Sequence, residues 1–278
     1  MIRARRIDAH QHFWRIDRGD YGWLTPDLGP IYRDFGAGDL APVLARTGID
    51  GTVLVQAAPT VAETRFLLEL AATTPFVAGV VGWVPLDAPD AAEALATLAR
   101  DPALKGVRPM IHDIPDVDWM LGPAVGAGLR AVEALGLAFD ALVRPPHLGP
   151  LRRLLARHPT LRVVIDHAGK PEIAAGRFDA WAADMRALAT ETTAWVKLSG
   201  LVTEAGVGWS VDQLRRYVDH LLEHFGADRV IFGSDWPVVT LRAGYGEWLA
   251  AVDLLLAGLA PAARARVMGL TAVQVYRL

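Results

Sequence analysis

Asp8-Ala9-His10-Gln11-His12 sets two imidazoles and a carboxylate at alternate positions, just after Ile7. Side chains of a β-strand alternate between faces, so a strand here turns His10, His12 and Asp8 the same way. Two imidazoles on one face of a strand end can share a divalent ion. A lone His-x-His is also met as a hydrogen-bonded or surface pair, so the rest of the chain has to choose between the two. Two later runs offer matching chemistry. Asp166-His167-Ala168-Gly169-Lys170-Pro171 follows apolar Val163-Val164-Ile165, and Gly233-Ser234-Asp235-Trp236-Pro237 follows Val230-Ile231-Phe232. The alternatives are a buried structural histidine at His167 and a turn or cap residue at Asp235.

These groups need elements to carry them. Short apolar or β-branched runs recur at Arg6–His12, Thr52–Gln56, Phe76–Val84, Gly106–Ile111, Leu137–Val143, Arg162–His167, Trp195–Ser199 and Val230–Asp235. Their starts lie about 25 to 45 residues apart, which suits strand–helix units. Helical patterns fill Thr60–Thr73, Ala88–Arg100, His147–His158 and Val211–Phe225, the last with Ser210 as N-cap and Gly226 as C-cap. Eight such units predict an α/β fold, a (β/α)8 TIM barrel in one domain over residues 1–278. An open doubly wound sheet is the second choice, but no G-x-G-x-x-G follows the first strand. Two excursions, Phe13–Asp39 and His112–Gly128, follow strands with polar ends and are expected on the C-terminal face, where barrel enzymes keep their sites. That face then receives His10 and His12, Gln56, Trp83, Arg108, Asp140, His167, Lys197 with Ser199, and Asp235. For Gln56, Lys197 and Ser199, a solvated rim is an equal reading.

Composition narrows the function. The chain has 278 residues, 52% apolar, enough for a large core. A net charge of −3 and no basic run argue against nucleic acid. With no cysteine, disulfides, thiolate metal sites and a cysteine nucleophile are excluded; a cytoplasmic location is expected. No apolar run reaches membrane-spanning length.

Asp-x-His-x-His at strand one, Asp-His-x-Gly-Lys-Pro at strand six and Gly-Ser-Asp-Trp-Pro at strand eight resemble the amidohydrolase superfamily. More narrowly they resemble its lactonases, which open L-fuconolactone, L-rhamnonolactone or 4-sulfomuconolactone. Lys105-Gly106-Val107-Arg108 and Lys197-Leu198-Ser199-Gly200-Leu201 lie between the motifs, and the likeness runs from Asp8 to about Val239. It implies a hydrolase with one divalent metal, zinc, held by His10, His12 and Asp235, with His167 close by; relatives that work without metal keep a dispensable ion open. Binuclear members carry a carboxylated lysine at the end of strand four and a histidine at the end of strand five. Here Lys105 begins strand four and His147 follows Pro145-Pro146, so a second metal is not expected. The expected roles are Asp235 as general base, His167 as ligand or oxyanion donor, and Arg108, Lys170, Trp83, His112 and Trp236 at the substrate. Trp14, Tyr32, Asp113 and Trp119 lie on the same loops. Near the mouth the only further cations are Arg33 and Arg144, which favours a neutral sugar lactone over an anionic one. A decarboxylase of a sister branch and an inactive sugar-binding barrel are the competing readings; the first lacks its strand-five histidine, and the second gives no reason to keep all four metal-competent groups. Oligomeric state is not legible in the sequence.

Overall fold

In the computed structural model, which describes residues 4–278, eight parallel strands pair in chain order: β1 Ile7–Gln11, β2 Gly51–Val55, β3 Val77–Gly82, β4 Leu104–Val107, β5 Ala138–Ala141, β6 Arg162–Ile165, β7 Trp195–Leu198 and β8 Val230–Phe232. Around them lie α1 Ala37–Thr47, α2 Val61–Thr73, α3 Ala91–Leu98, α4 Pro123–Ala134, α5 Leu148–Arg157, α6 Asp179–Glu191, α7 Leu201–Ala205, α8 Val211–Phe225, α9 Tyr245–Leu255, α10 Pro261–Ala265 and α11 Thr271–Tyr276. This is the (β/α)8 barrel that the spacing of apolar runs predicts. No described helix is long and apolar enough to cross a membrane.

The strands are shorter than the apolar runs: His12, Gln56, Arg108, Asp166 and Ser199 already lie one residue past the ends of β1, β2, β4, β6 and β7. The barrel closes between β1 and the chain just past β8. Asp235 N donates to His10 O at 2.8 Å, and His12 N to Trp236 O at 2.7 Å. Asp8 Oδ1 accepts Ser234 N at 2.8 Å and His10 N at 3.2 Å, while Oδ2 accepts the Tyr245 hydroxyl at 3.0 Å. Asp8 therefore seals the seam and does not join the histidines. The cause is a register shift between Asp8 and Gln11, where β1 spends one more residue than β2. Such a bulge reverses the facing parity. Ile7 and Ala9 pack inward before it, and His10 and His12 turn inward after it. Burial pushes the Asp8 carboxyl up to about 6, against the pull of these hydrogen bonds.

Inside the barrel, Ile7, Val53, Val81, Val164 and Ile231 form an apolar floor closed by Ala272, Val275 and Tyr276 of α11. Outside, α8 buries Leu214, Tyr217, Val218, Leu221 and Phe225, a stripe at helical spacing. Its cap is as expected: Ser210 accepts Gln213 N at 3.2 Å, and Gly226 follows the last turn. In α2, Thr60 caps Glu63 N at 2.9 Å. The second excursion ends earlier than its glycines suggest, since α4 begins at Pro123 and contains Gly128. A Cβ at Gly128 would stand 2.3 Å from Leu86 O, so glycine there serves close packing, not a loop.

Candidate active site

The site is built on three strand ends. His10 lies in β1 and His12 just after it. His167 and Asp235 follow β6 and β8 on residues with φ of +50° and +59°. Left-handed backbone is disfavoured for residues with a Cβ and is found mainly where surrounding structure enforces it. Here it swings both side chains back over the barrel axis. Asp235 Oδ1 lies 3.3 Å from His12 Nε2, 3.7 Å from His10 Nε2 and 3.9 Å from His167 Nε2. All four residues are at least 95% buried.

This donor set fits one cation. Bonds of about 2.0–2.1 Å in a tetrahedral shell leave neighbouring donors roughly 3.3 Å apart. His10 Nε2 and His12 Nε2 are 3.1 Å apart. His12 Nδ1 is 2.8 Å from Val55 O, a pure acceptor, so it carries the proton and Nε2 offers a lone pair. His10 Nδ1 lies between Asp166 Oδ1 at 3.5 Å and the Lys197 ammonium at 3.1 Å; with its proton directed to Asp166, Nε2 is free as well, facing the donor Arg108 Nη1 at 3.4 Å. Two lone pairs at that separation repel unless a cation or proton lies between them. Burial holds the His10 and His167 imidazoles well below their usual value, so both are neutral, as metal ligation requires. Burial opposes ionisation of Asp235, but His167, His12 and Lys170 outweigh it and keep that carboxyl below its ordinary value. A second grouping, His10, Asp166 and His167, shares His10. There the Lys197 ammonium already lies 2.9 Å from Asp166 Oδ1, which leaves His10, His12 and Asp235 as the better cradle.

Beneath the histidines is a buried charge layer. Lys197 Nζ lies 2.5 Å from Asp140 Oδ2, 2.9 Å from Asp166 Oδ1 and 3.1 Å from His10 Nδ1, and the Tyr276 hydroxyl donates to Asp140 at 2.8 Å. The solvated-rim reading fails for Gln56, Lys197 and Ser199: all three are fully buried. Gln56 Nε2 donates to Arg108 O at 2.7 Å, and Ser199 Oγ meets His167 Nδ1 at 2.9 Å. Burial raises Asp140 to about 6 against the pull of Lys197. Burial also resists ionisation of Asp166, but Lys197 and His10 overcome it and hold that carboxyl well below the usual range. Lys105 lies at the opposite end, its Nζ 3.2 Å from Arg277 O, and His147 sits in the turn before α5. Neither reaches the cluster.

Above the cluster opens a cavity of about 210 Å³. Its polar lining is His12, His167, Asp235, Arg108, Lys170 and the pair His112–Asp113, and its apolar lining includes Trp23, Met110, Leu142 and Val238. Arg108 spends its terminal nitrogens on Gln56 O, His10 and Asp166, but its buried Nε has no protein partner. His112 is pushed down to about 3 by burial and by the charges of Lys170, Arg108 and Arg144. It is therefore a neutral hydrogen-bonding group near pH 7. Trp83 lies outside this lining, in the adjoining cleft with Pro85 and Trp119. Trp236 is packed edge-on against Phe13 and Phe35. The larger cleft of about 590 Å³, between α4 and α5, contains none of the cluster. Trp23 and the Lys197–Asp140 pair enter only through the structure. Trp23 sits in an irregular loop, with its indole donating to Ala57 O at 2.7 Å, and no periodicity marks it.

Comparison with known proteins agrees with this geometry. Residues 7–278 match the family described as amidohydrolase. The chain is 49% identical over 277 residues to an L-fucono-1,5-lactonase of Burkholderia ambifaria, covering 98% of this chain and 96% of that protein. It is 38% identical over 289 residues to an L-fucono-1,5-lactonase of Burkholderia multivorans, covering 99% and 97%. A crystal structure of an amidohydrolase from Burkholderia multivorans with bound zinc superposes with a TM-score of 0.93 at 36% identity, covering 99% of this chain and all of that one. By its motifs, its barrel and its match along nearly the whole chain, this protein belongs to the amidohydrolase family.

Proposed function

We propose that this protein is a hydrolase that opens a neutral sugar lactone of the L-fucono-1,5-lactone kind, with one zinc ion held by His10, His12 and Asp235. The observation that carries the reading is the convergence of three imidazole nitrogens within 3.9 Å of Asp235 Oδ1, beside a small cavity with one polar and one apolar part. The two lactonases and the zinc-bound relative support it from outside the geometry. The cavity of about 210 Å³ lies below the range of roughly 300–1,000 Å³ for drug-sized ligands and suits a single sugar ring.

When bound, such an ion lowers the pKa of its water to about 7 and supplies hydroxide near neutrality. Asp235 takes the proton of the attacking water and returns it to the ring oxygen as the ester bond breaks. Acid–base help of this kind contributes about 10²- to 10⁴-fold. With Ser199 donating to Nδ1, His167 carries its proton on Nε2 and donates it to the developing oxyanion. Arg108 Nε and Lys170 donate to the substrate's oxygens, and His112 adds a neutral partner. Trp23, Met110, Leu142 and Val238 receive the ring's C–H face. The two cations of the lining are already paired, Arg108 with Asp166 and Lys170 with Glu204, which leaves little to hold an anionic lactone. Trp236, packed in the core, and Trp83, one cleft away, support this pocket from behind and beside it. A cysteine-free chain suits the cytoplasm, which cell fractionation would check.

The test is a pH-indicator assay of the purified enzyme on L-fucono-1,5-lactone and 4-sulfomuconolactone, before and after chelation. The expected result is turnover of the first, loss on chelation, recovery with zinc, and loss of at least about 10²-fold in Asp235→Asn. Near-full turnover in a folded Asp235→Asn variant refutes the base assignment. An undiminished rate in metal-stripped enzyme refutes the zinc assignment, and turnover of the anionic lactone alone refutes the substrate class.

A further inference from the structure

The chain leaving β6 runs through four successive left-handed residues: His167, Ala168, Gly169 and Lys170, with φ of 50°, 54°, 69° and 49°. Three of them carry a Cβ, so the turn persists only because its surroundings hold it. Lys170 N donates to His167 O at 2.8 Å, and the Trp181 indole of α6 donates to Ala168 O at 2.7 Å. These bonds place the Lys170 backbone. They do not place its ammonium, which sits at the end of a four-carbon stem with many rotamers.

Glu204 of α7 does that. Its Oε1 lies 2.7 Å from Lys170 Nζ, and the two side chains are only 22% and 19% exposed. Glu204 is itself anchored: its N donates to Gly200 O at 3.2 Å and its O accepts Ala174 N at 3.1 Å, so α7 is tied to the chain just past the turn. Lys170 lines the cavity, whereas Glu204 does not. An ammonium has three donors, so one spent on Glu204 leaves two for a ligand.

We propose that Glu204 is a positioning residue for substrate binding, acting through Lys170, whose ammonium it holds at the mouth of the cavity to meet the hydroxyls of the sugar lactone. This rests on the lactonase reading above. Glu204 lies outside the cavity lining, so its removal acts by releasing Lys170. Binding shared equally by ground and transition states appears in KM and not in kcat.

The experiment measures kcat and KM on L-fucono-1,5-lactone, together with Tm, for the wild-type enzyme, Glu204→Gln, Glu204→Asp, Lys170→Met and the Glu204→Gln/Lys170→Met double variant. Hydrogen bonds to a charged group imply a KM rise of about ten-fold or more in Glu204→Gln, with kcat within about three-fold. Glu204→Asp, which keeps the charge, recovers part of the loss. The double variant matches Lys170→Met alone within about two-fold, because residues acting through one another are not additive. An unchanged KM in Glu204→Gln, or effects that multiply in the double variant, overturns the proposal while leaving the lactonase reading intact. Should Glu204→Gln lose its fold, the KM of Glu204→Asp set against Lys170→Met decides by the same logic. Wild-type enzyme inactive on every lactone overturns the lactonase reading and this proposal with it.

Discussion

Replacing Gly200 by alanine tests whether the site depends on the close fit between the β7 end and His167. Gly200 has a φ of +68°, and a Cβ there would stand 2.7 Å from His167 Nδ1, 2.8 Å from its Cγ and 2.9 Å from its Cβ. The ring cannot swing aside at its tip, because its own root is among the atoms struck. Ordinary contact begins at 3.4 Å, so His167 must shift by about 0.7 Å, and the His10 ring is already 4.4 Å away between centroids. Left-handed backbone costs an alanine about 1–2 kcal/mol. Overpacking adds about 1–3 kcal/mol. The sum is about 2–5 kcal/mol, or roughly 3–9 °C in Tm for a chain of this size. The displaced imidazole also loses the Ser199 hydroxyl, now 2.9 Å from Nδ1. Misplacement by 1 Å can cost about 10²-fold in rate, so a loss of about ten- to a hundred-fold in kcat is expected. Calorimetry and steady-state kinetics on the same preparation read both. A Gly200→Ala variant with Tm within about 1 °C of wild type and full turnover would falsify the claim that this contact holds His167 in place.

Two further predictions concern the buried charges. Lys197→Met leaves Asp140 and Asp166 facing each other's charge without the ammonium between them, and breaking a buried pair in this way costs about 3–5 kcal/mol; urea unfolding at pH 7 should show it, and an unchanged midpoint counts against the charge layer. Glu63, which accepts the Tyr21 hydroxyl at 2.7 Å, is raised by burial from 4.5 to about 7. Between pH 4.5 and 7 the folded protein therefore binds more protons than the unfolded chain, and stability falls by about 3 kcal/mol as pH rises through that window. Glu63→Gln removes that slope; because Asp8 and Asp140 contribute equally in both proteins, the difference in urea stability between pH 5 and pH 8 isolates it, and identical slopes in the two proteins would refute the assignment.

Much of the site can be read from the chain because a barrel strand announces its own end. An apolar run that stops in His12, His167 or Asp235 marks a side chain at the C-terminal mouth, and the three motifs do this at barrel spacing. The expectation that Asp8 shares the histidines' face fails on one inserted residue, since alternation holds only while the register does. Trp236 follows Asp235 in sequence yet packs into the core against Phe13 and Phe35. Proximity along the chain says nothing about direction once the backbone turns left-handed. Glu204 and Trp23 carry no local signature, because their partners Lys170 and Ala57 lie 34 residues away in each case.

The sequence by itself determined the barrel, the strand ends and the identity of the metal-competent groups, because periodicity and polar termination are local properties of a chain. Only the tertiary structure decided what those groups face. Asp8 meets Ser234 and Tyr245 across the closing seam, and Lys197 meets Asp140, Asp166 and His10 at the barrel centre. Burial and neighbours there shift Asp8, Asp140, Asp166, His10 and His167, and those neighbours lie up to 237 residues away along the chain. His10 and His12 began as two imidazoles on one strand. Closure of the sheet on itself brings His167 and Asp235 against them, a set of donors with the spacing one ion needs.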